Sequence, residues 1–368
     1  MALIANAMSC DLEEYFQVQA CEGVVARDQW AAQPSRLEPS TERVLALLDE
    51  AEAKATFFVL GWNAARHPEL VRRIAAAGHE VASHGYGHRM ITEQTPEEFR
   101  DDVRRAKALL EDLAGQPVVG FRAPTFSITE RTRWALAILA EEGYRYDSSI
   151  FPIRHDRYGI PSAPRFLYEV GQQGASPAPG RSSAPIGRIG PTGPTEDGGP
   201  RVQAARPTNG HSLVEFPPTT LRVLGCNLPV AGGGYLRLLP VRLVAAALRR
   251  VNRQGHPAIV YFHPWELDSE QPRLPLRGLS RFRHYVGLAR TADKLRHLLR
   301  AFAFTTARAV VETWRAARRE PAPRAKAPGP GVPGLAIGED VASPFPPAPG
   351  GAHPPKPDEA GGNAVVRL

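Results

Sequence analysis

The chain of 368 residues has only three cysteines, Cys10, Cys21 and Cys226, and none is part of a Cys-x-x-Cys pair. This small, odd set excludes a disulfide framework and gives no support to a zinc ribbon. No apolar run approaches the ~18 residues needed to span a bilayer, and residues 1–8 lack the basic start of a signal peptide. We therefore expect a protein without a transmembrane segment, in a reducing compartment, with the cytoplasm as its location.

Acidic residues are fewer than basic ones, 38 against 45, which gives a formal net charge of +7. The arginines are scattered, however, and the basic stripe interleaved with aromatic residues that is typical of nucleic-acid binding is missing. The glycine-rich patterns that cradle nucleotide phosphates are missing as well. We therefore expect no nucleic-acid partner.

Glycine (33) and proline (36) are abundant only in places, since more than half of them lie in residues 171–211 and 321–362. Both stretches lack apolar periodicity, which predicts a flexible insertion over 171–211 and a disordered tail over 316–368. Residues 1–170 and 212–315 are predicted to form a single domain.

That domain alternates short apolar runs with amphipathic segments. Strands are predicted at residues 3–10, 55–60, 79–83, 118–122, 213–216, 257–262 and 304–309. Helices are predicted at residues 40–52, 68–77, 95–114, 130–142, 239–251 and 291–302. Strands separated by helices of this length indicate an α/β fold with a parallel sheet, either open or closed into a barrel.

Polar residues follow several of the apolar runs, where the carboxyl ends of parallel strands would bring them to one face. Asp11 and Glu13 are two residues apart, so on a strand end they point the same way. His84 and His88 have the H-x-x-x-H spacing that turns two imidazoles towards one point. Two histidines and a carboxylate suit Zn²⁺ or another first-row ion. The remaining members of this group are Arg122, the segment 146–149 and His263.

Each of these signals has a second interpretation when it is taken alone. The histidine pair also fits two surface histidines, and Arg122 and His263 also fit structural roles. Tyr86, Phe126 and Trp265 fit either stacking on sugar rings or ordinary core packing. The order of all the polar groups along the chain is what favours an active site.

That order resembles the NodB-type polysaccharide deacetylase family, part of the carbohydrate esterase group. The resemblance covers roughly residues 3–312, interrupted by the insertion, and its motifs look most like the subgroup linked to bacterial exopolysaccharide and exosortase gene clusters. It implies a distorted (β/α) barrel of about seven strands. The segments that carry it are residues 11–16, 84–88, 121–124, 146–152, 155–161 and 262–266.

The resemblance also implies roles for individual residues. It assigns metal ligation to Glu13, His84 and His88. Tyr86, Phe126 and Trp265 are our own candidates for stacking on the sugar rings of such a substrate. The implied catalytic residues are Asp11 (general base), Arg122 (orienting the base), Thr125 (a backbone N–H for the oxyanion), His263 (general acid) and Asp147 (holding His263). The family's Asp-Asp pair is replaced by Asp11-x-Glu13, so Glu14 is an alternative acidic ligand.

The implied activity is metal-dependent removal of N-acetyl groups from N-acetyl-hexosamine units of a bacterial polysaccharide or its precursor. The chemistry suits these residue types: an amide carbonyl needs polarisation, the attacking water needs a base, and the leaving amine needs a proton. Zn²⁺ is the expected metal and an N-acetylated glycan the expected partner. The alternatives are an allantoinase-like amidohydrolase of small molecules and a catalytically silent glycan-binding protein of the same fold.

Overall fold

The structure is a computed structural model that describes residues 4–171 and 212–319. Its helices are α1 Leu37–Glu50, α2 Gly61–Arg66, α3 Pro68–Ala76, α4 Pro96–Ala114, α5 Trp134–Glu141, α6 Gly233–Leu238, α7 Val241–Arg253, α8 Gly278–Tyr285, α9 Thr291–Ala301 and α10 Ala307–Arg319. Its strands are β1 Asn6–Leu12, β2 Thr56–Val59, β3 Glu80–Ser83, β4 Gly120–Phe121, β5 Tyr146–Asp147, β6 Tyr168–Glu169, β7 Val214–Glu215, β8 Thr220–Val223, β9 Cys226–Pro229, β10 Ile259–Phe262 and β11 Phe304–Thr305.

The main sheet is a curled half-barrel, and its strand order is β10-β1-β2-β3-β4-β5-β7-β6, with β11 also paired to β1. All its pairs are parallel except β6 with β7. Beyond β7, the Thr219 hydroxyl links to β10, because it accepts the Ile259 N–H at 2.7 Å and donates to the Ile259 carbonyl at 2.9 Å. The predicted α/β class and parallel sheet are confirmed.

The side chains of β1 alternate between two apolar cores, as a strand period of two requires. Met8 and Cys10 pack in the large core between the sheet and its surrounding helices. Ala7 lies in a smaller core inside the half-barrel. Ser9 and Asp11 also point inwards, where both contact the same guanidinium group. The interior is therefore apolar at the amino end of the strands and polar at the carboxyl end.

Capping residues set both ends of the longest described helix, α4, close to the predicted bounds. The Thr95 hydroxyl accepts the Glu98 N–H at 3.2 Å, and the Glu98 carboxylate accepts the Thr95 N–H at 3.0 Å. This reciprocal capping box satisfies two backbone donors of the first turn. Gly115 ends the helix with a φ of 62°, a left-handed conformation that glycine adopts without strain.

The predicted strand 304–309 is wrong beyond its first two residues. β11 covers only Phe304–Thr305, and the chain then turns into α10, which includes residues 316–319 that were predicted to begin the tail. The helical spacing of Ala307, Val310 and Val311 explains the difference, since these side chains fill the amino end of the half-barrel. Apart from the ends noted here, the predicted insertion and tail lie outside the described residues.

Two other differences concern the segment after residue 212. The hairpin formed by β8 and β9 was not predicted, and Pro240 separates α6 from α7 where the chain was expected to start one helix. Among the described residues, no helix is long and apolar enough to cross a membrane.

Candidate active site

The polar end of the half-barrel is organised around the fully buried side chain of Arg122, which follows β4. Its guanidinium donates to Asp11 Oδ1 at 2.6 Å and to Ser9 Oγ at 3.0 Å. It also donates to the hydroxyl and carbonyl oxygens of Ser148, at 3.0 and 3.2 Å. Charge-assisted bonds of this kind fix orientation well. The prediction that Arg122 pairs with Asp11 matches this placement.

Glu13, His84 and His88 converge immediately beside Asp11, and all three are buried. Glu13 Oε1 lies 2.9 Å from His84 Nε2 and 3.1 Å from His88 Nε2. The residue directly after β1 supplies the carboxylate and the loop after β3 supplies both imidazoles, so the parallel pairing of the strands brings them together. The three predicted ligands therefore form one cluster.

The donor set of this cluster suits a divalent cation. His84 Nδ1 lies 2.7 Å from the carbonyl oxygen of Arg122. Because a carbonyl can only accept, Nδ1 carries the hydrogen, and Nε2 of a neutral imidazole is left with a lone pair facing Glu13. A lone pair and a carboxylate oxygen 2.9 Å apart need a positive centre between them, which either a proton on Nε2 or a metal ion supplies. The residues thus fit a bound metal.

The loop that carries the histidines is held by Asp102 of α4. Its carboxylate accepts the backbone N–H groups of Tyr86 at 2.7 Å and Gly87 at 3.1 Å. His88 has a φ of 51°, a left-handed conformation that costs a residue with a side chain about 1–3 kcal/mol. Directing His88 towards Glu13 therefore costs the folded state some stability.

Glu14 is excluded from this cluster by its hydrogen bonds. Its carboxylate accepts the backbone N–H groups of Arg36 and Leu37 at the start of α1, and the hydroxyl of Ser35. It therefore satisfies free donors at a helix N-terminus. Glu13 is the acid that faces the histidines.

His263 lies on the other side of the two carboxylates. Its Nε2 is 4.0 Å from both Asp11 Oδ2 and Glu13 Oε1. Burial lowers the pKa of His263, but the negative charges of Glu13, Glu266 and Asp11 outweigh that effect, and the pKa rises to about 9. Burial likewise raises the pKa of Glu13, yet His88 and His263 bring it well below its usual value. The site thus favours an imidazolium beside two carboxylates.

Glu266, and not Asp147, holds the other ring nitrogen of His263. Glu266 Oε1 lies 2.8 Å from His263 Nδ1 and is fully buried, and its second oxygen is 3.6 Å from Nε of Arg237. The short 3-10 turn Pro264–Leu267 brings residue 266 back towards residue 263. The predicted contact between Asp147 and His263 is not made.

Asp147 is instead part of a buried acid pair with Glu215, its register partner on β7. Burial raises the pKa of both groups, and the charge of Asp147 raises that of Glu215 further, so Glu215 carries the proton between them. The hydroxyl of Ser149 donates to Asp147 at 2.5 Å and accepts the Ala123 N–H at 2.7 Å. Asp147 therefore supports the loop that follows Arg122.

Thr125 and Phe126 both adopt left-handed backbone conformations, with φ of 55° and 53°. Such a conformation is uncommon for a β-branched residue such as threonine. Thr125 is half-buried and lies three residues beyond Arg122, at the carboxyl end of β4. This placement keeps Thr125 a candidate for the predicted oxyanion contact.

The three aromatic residues predicted to bind sugar are mostly covered. The guanidinium of Arg105 lies 3.5 Å from the ring centroid of Tyr86. Phe126 is 8% exposed and packs against Phe151 and Tyr261. Trp265 is 3% exposed and is stacked between His263 and His284. Core packing, the second interpretation, therefore describes Phe126 and Trp265, while Tyr86 is half-buried and stays a candidate.

Sequence reasoning missed the groups that orient Asp11 and His263. Glu266 was available as a signal, because an acid three residues after His263 returns to it in a 3-10 turn. Ser9 gave a similar signal, since it is two residues before Asp11 on the same face of β1. Glu215 gave none, because its pairing with Asp147 depends on β7 lying beside β5.

Comparison with known families was consistent with this geometry. Residues 30–146 match a family described as "Polysaccharide deacetylase", and residues 182–312 match a "Domain of unknown function (DUF3473)". The first segment contains His84, His88 and Arg122, and the second contains His263 and Glu266. Neither segment contains Asp11 or Glu13.

A peptidoglycan-N-acetylglucosamine deacetylase of Bacillus cereus is 35% identical over 96 residues, 26% of this chain and 35% of that protein. A chitooligosaccharide deacetylase of a Bradyrhizobium species is 40% identical over 76 residues, 21% of this chain and 35% of that protein. The matches thus span about a third of these relatives. Together with the first family match, they show that part of this chain is similar to polysaccharide deacetylases.

Among solved structures, PuuE allantoinase superposes with a TM-score of 0.50 and 16% sequence identity. The superposition covers 86% of this chain and 92% of the allantoinase chain. At this level of identity the match shows a shared fold and nothing about activity. It agrees with the curled α/β sheet described above.

Proposed function

We propose that this protein is a metal-dependent N-deacetylase that acts on N-acetyl-hexosamine units of a bacterial glycan. The observation that carries the proposal is the meeting of two groups at one end of the half-barrel. The first is the Glu13, His84 and His88 cluster, and the second is the Asp11 carboxylate between Arg122 and His263. Together they offer a cation site, a base and an acid within a few ångströms.

In this proposal Asp11 is the general base. Arg122 holds one carboxylate oxygen at 2.6 Å, which leaves Oδ2 directed towards His263 and the cluster. Asp11 accepts the proton of the water whose oxygen attacks the acetyl carbonyl carbon. Its fixed orientation removes a rotational freedom that the reaction would otherwise have to restrict.

His263 is the general acid. Glu266 fixes Nδ1, so Nε2 is the nitrogen that faces the reacting groups and donates a proton. That proton goes to the amine nitrogen as the carbon–nitrogen bond breaks, which yields acetate and a free amino sugar. The Glu266 carboxylate raises the pKa of His263 and so helps to keep this proton available.

Glu13, His84 and His88 would hold a divalent ion, for which Zn²⁺ is our proposal from the two imidazoles and one carboxylate. When bound there, such an ion polarises the carbonyl and lowers the pKa of water. The backbone N–H of Thr125 is proposed to stabilise the oxyanion from the other side.

The substrate class rests on the relatives, which are named for deacetylation of peptidoglycan and chitooligosaccharide. We extend this to an N-acetylated bacterial polysaccharide or its precursor. Placement in the subgroup linked to exopolysaccharide gene clusters remains our prediction, and the second family match, over residues 182–312, is in keeping with it.

The first test is the metal content of the purified chain, measured by elemental analysis, against a His84→Ala/His88→Ala variant that is shown to be folded. We expect about one zinc-like ion per chain in the wild type and its loss in the variant. The same proteins are then assayed for acetate release from N-acetylglucosamine oligomers, with His263→Ala as a second variant. His263→Ala should retain the metal and lose activity.

Two outcomes would contradict the proposal. No metal in the wild-type chain after metal-supplemented preparation would exclude the metal-dependent mechanism and favour the amidohydrolase alternative. Metal and sugar binding without any acetate release would favour a silent glycan-binding protein.

A further inference from the structure

Two elements outside the main sheet expose apolar side chains. One is the tip of the β8–β9 hairpin and the other is helix α8, and both follow the carboxyl ends of strands, β7 and β10 respectively. Their exposed apolar side chains, which we name the apolar rim, are Val223 (38% exposed), Leu224 (99%), Leu228 (46%), Leu279 (57%) and Phe282 (53%).

The two projections are anchored to one loop. Asn227 of the hairpin donates to the Pro152 carbonyl at 2.8 Å. Arg283 of α8 is an electrostatic neighbour of His155 and Tyr158 in the same loop. The hairpin and the helix therefore flank residues 152–158 on one face of the molecule.

Leu224 occupies an exposed turn position that is unfavourable for leucine. It shares a two-residue turn with Gly225, and their φ values are 46° and 80°. Two positive φ angles define a type I′ turn, in which asparagine, aspartate or glycine is favoured and leucine is strained. A fully exposed leucine in this conformation destabilises the folded state in two ways, through its exposed apolar surface and through its strained backbone. A binding partner that covers it is a sufficient explanation.

The two projections carry arginines and no acidic residue. The hairpin, residues 220–229, has Arg222 and no acid, and residues 271–290 contain five arginines and no acid. Arg222 on the hairpin and Arg281 on α8 are both exposed. Exposed leucine and phenylalanine set among arginines are typical of surfaces that insert into an anionic membrane interface.

We propose that the apolar rim docks the protein onto an anionic lipid surface. A lipid surface accepts two separate projections because it deforms around each, whereas a protein partner would need a surface complementary in shape to both. A soluble anionic glycan would use the arginines but would gain little from Leu224. The docking goes beyond the proposed deacetylation and does not depend on it.

The test is co-sedimentation of the full-length chain with vesicles of phosphatidylcholine plus phosphatidylglycerol, and with vesicles of phosphatidylcholine alone. We expect binding only to the anionic vesicles, and about tenfold weaker binding for Leu224→Asn/Phe282→Ser. Asparagine suits the turn, so the fold is preserved. Arg281→Ala should weaken binding more than Arg253→Ala, a matched loss of charge at the end of α7 near the amino end of β10.

Three results would overturn the proposal. They are no binding of the wild type to anionic vesicles, equal binding of wild type and double variant, and binding to a soluble polyuronate but not to vesicles. The last result would assign the surface to an anionic glycan. Neither substitution touches the site, so acetate release from a soluble oligosaccharide should be the same in the double variant, which separates this proposal from the proposed function.

Discussion

The two ring nitrogens of His263 face carboxylates at different distances. Glu266 fixes Nδ1 at 2.8 Å, while Asp11 and Glu13 lie 4.0 Å from Nε2. The first contact is a hydrogen bond that sets the orientation of the ring. The second is a longer electrostatic attraction, and it leaves room for a reacting group between the imidazole and the carboxylates.

We expect Glu266→Gln to lower kcat by about 10²-fold, the usual contribution of a well-placed general acid, while the metal content stays unchanged. The amide removes the charge that holds the imidazolium without removing the side chain. Asp147→Asn is the matched variant, and it should stay within about threefold of the wild type because its oxygen still accepts from Ser149. Acetate release and elemental analysis measure both effects. An equal loss in the two variants would contradict the assignment of Glu266.

His79, at the start of β3, couples stability to pH. Its Nδ1 accepts the Ala55 N–H at 3.2 Å, and burial lowers its pKa to about 4. In the unfolded chain histidine protonates near its ordinary pKa of about 6.5, so the unfolded state binds protons first on acidification. The stabilisation is therefore complete above about pH 6.5 and is lost as the pH falls towards 4.

From this shift we predict that wild type loses about 2 kcal/mol more stability than His79→Gln between pH 7.5 and 5. Urea unfolding at several pH values measures the difference. His297, an exposed histidine of α9, provides the control, and His297→Gln should follow the wild-type curve. Parallel curves for wild type and His79→Gln would show that this histidine is not the source.

At the scale of elements, α10 closes the amino end of the half-barrel. Val310 and Val311 pack with Ala7, Phe58 and Ile259 inside the sheet. The first turn of the helix is satisfied by the sheet itself, since the Ala307 N–H donates to the Thr56 hydroxyl at 2.7 Å and the Arg308 N–H to the Glu80 carboxylate at 3.0 Å. The helix therefore completes the interior core at the amino end of the strands.

Removing its apolar contacts should destabilise the whole sheet. We expect Val310→Ala/Val311→Ala to lower the free energy of unfolding by about 2–4 kcal/mol, from lost burial and residual cavities. Thr313→Ala, on the exposed side of the same helix, should change it by less than about 0.5 kcal/mol. Urea denaturation compares the three proteins. A loss below that of Thr313→Ala would mean that α10 is not part of the core.

The elements that the sequence predicted well are those with local signals. Thr95 and Gly115 mark both ends of α4, and Pro68 marks the start of α3. α10 was missed because only three of its residues, Ala307, Val310 and Val311, are buried and apolar, and the cavity that they fill is formed by the sheet. The β8–β9 hairpin was missed because Leu224 occupies a turn position at which asparagine or glycine is the usual signal.

At the scale of the whole molecule, the site joins residues that are distant in sequence. The rule that strand ends share one edge was enough to nominate Asp11, His84 and His263 together. The same rule could not decide that Glu266 holds His263, because that choice depends on a turn and on the sheet order. Asp147 lies on β5, five strand positions from β10 along the sheet, and β7 beside it supplies a nearer partner.

Because the metal cluster draws on β1 and on the loop after β3, metal binding should stabilise the entire fold. Ligand present at 100 times its Kd adds about 2.7 kcal/mol, which for a chain of this size raises Tm by about 3–5 °C. We predict that zinc produces such a shift in chelator-treated wild type, measured by calorimetry. His84→Ala/His88→Ala should show none, and Asp147→Asn should respond like the wild type. An equal shift in the histidine variant would place the metal elsewhere, because only a ligand that prefers the folded cluster can raise Tm through it.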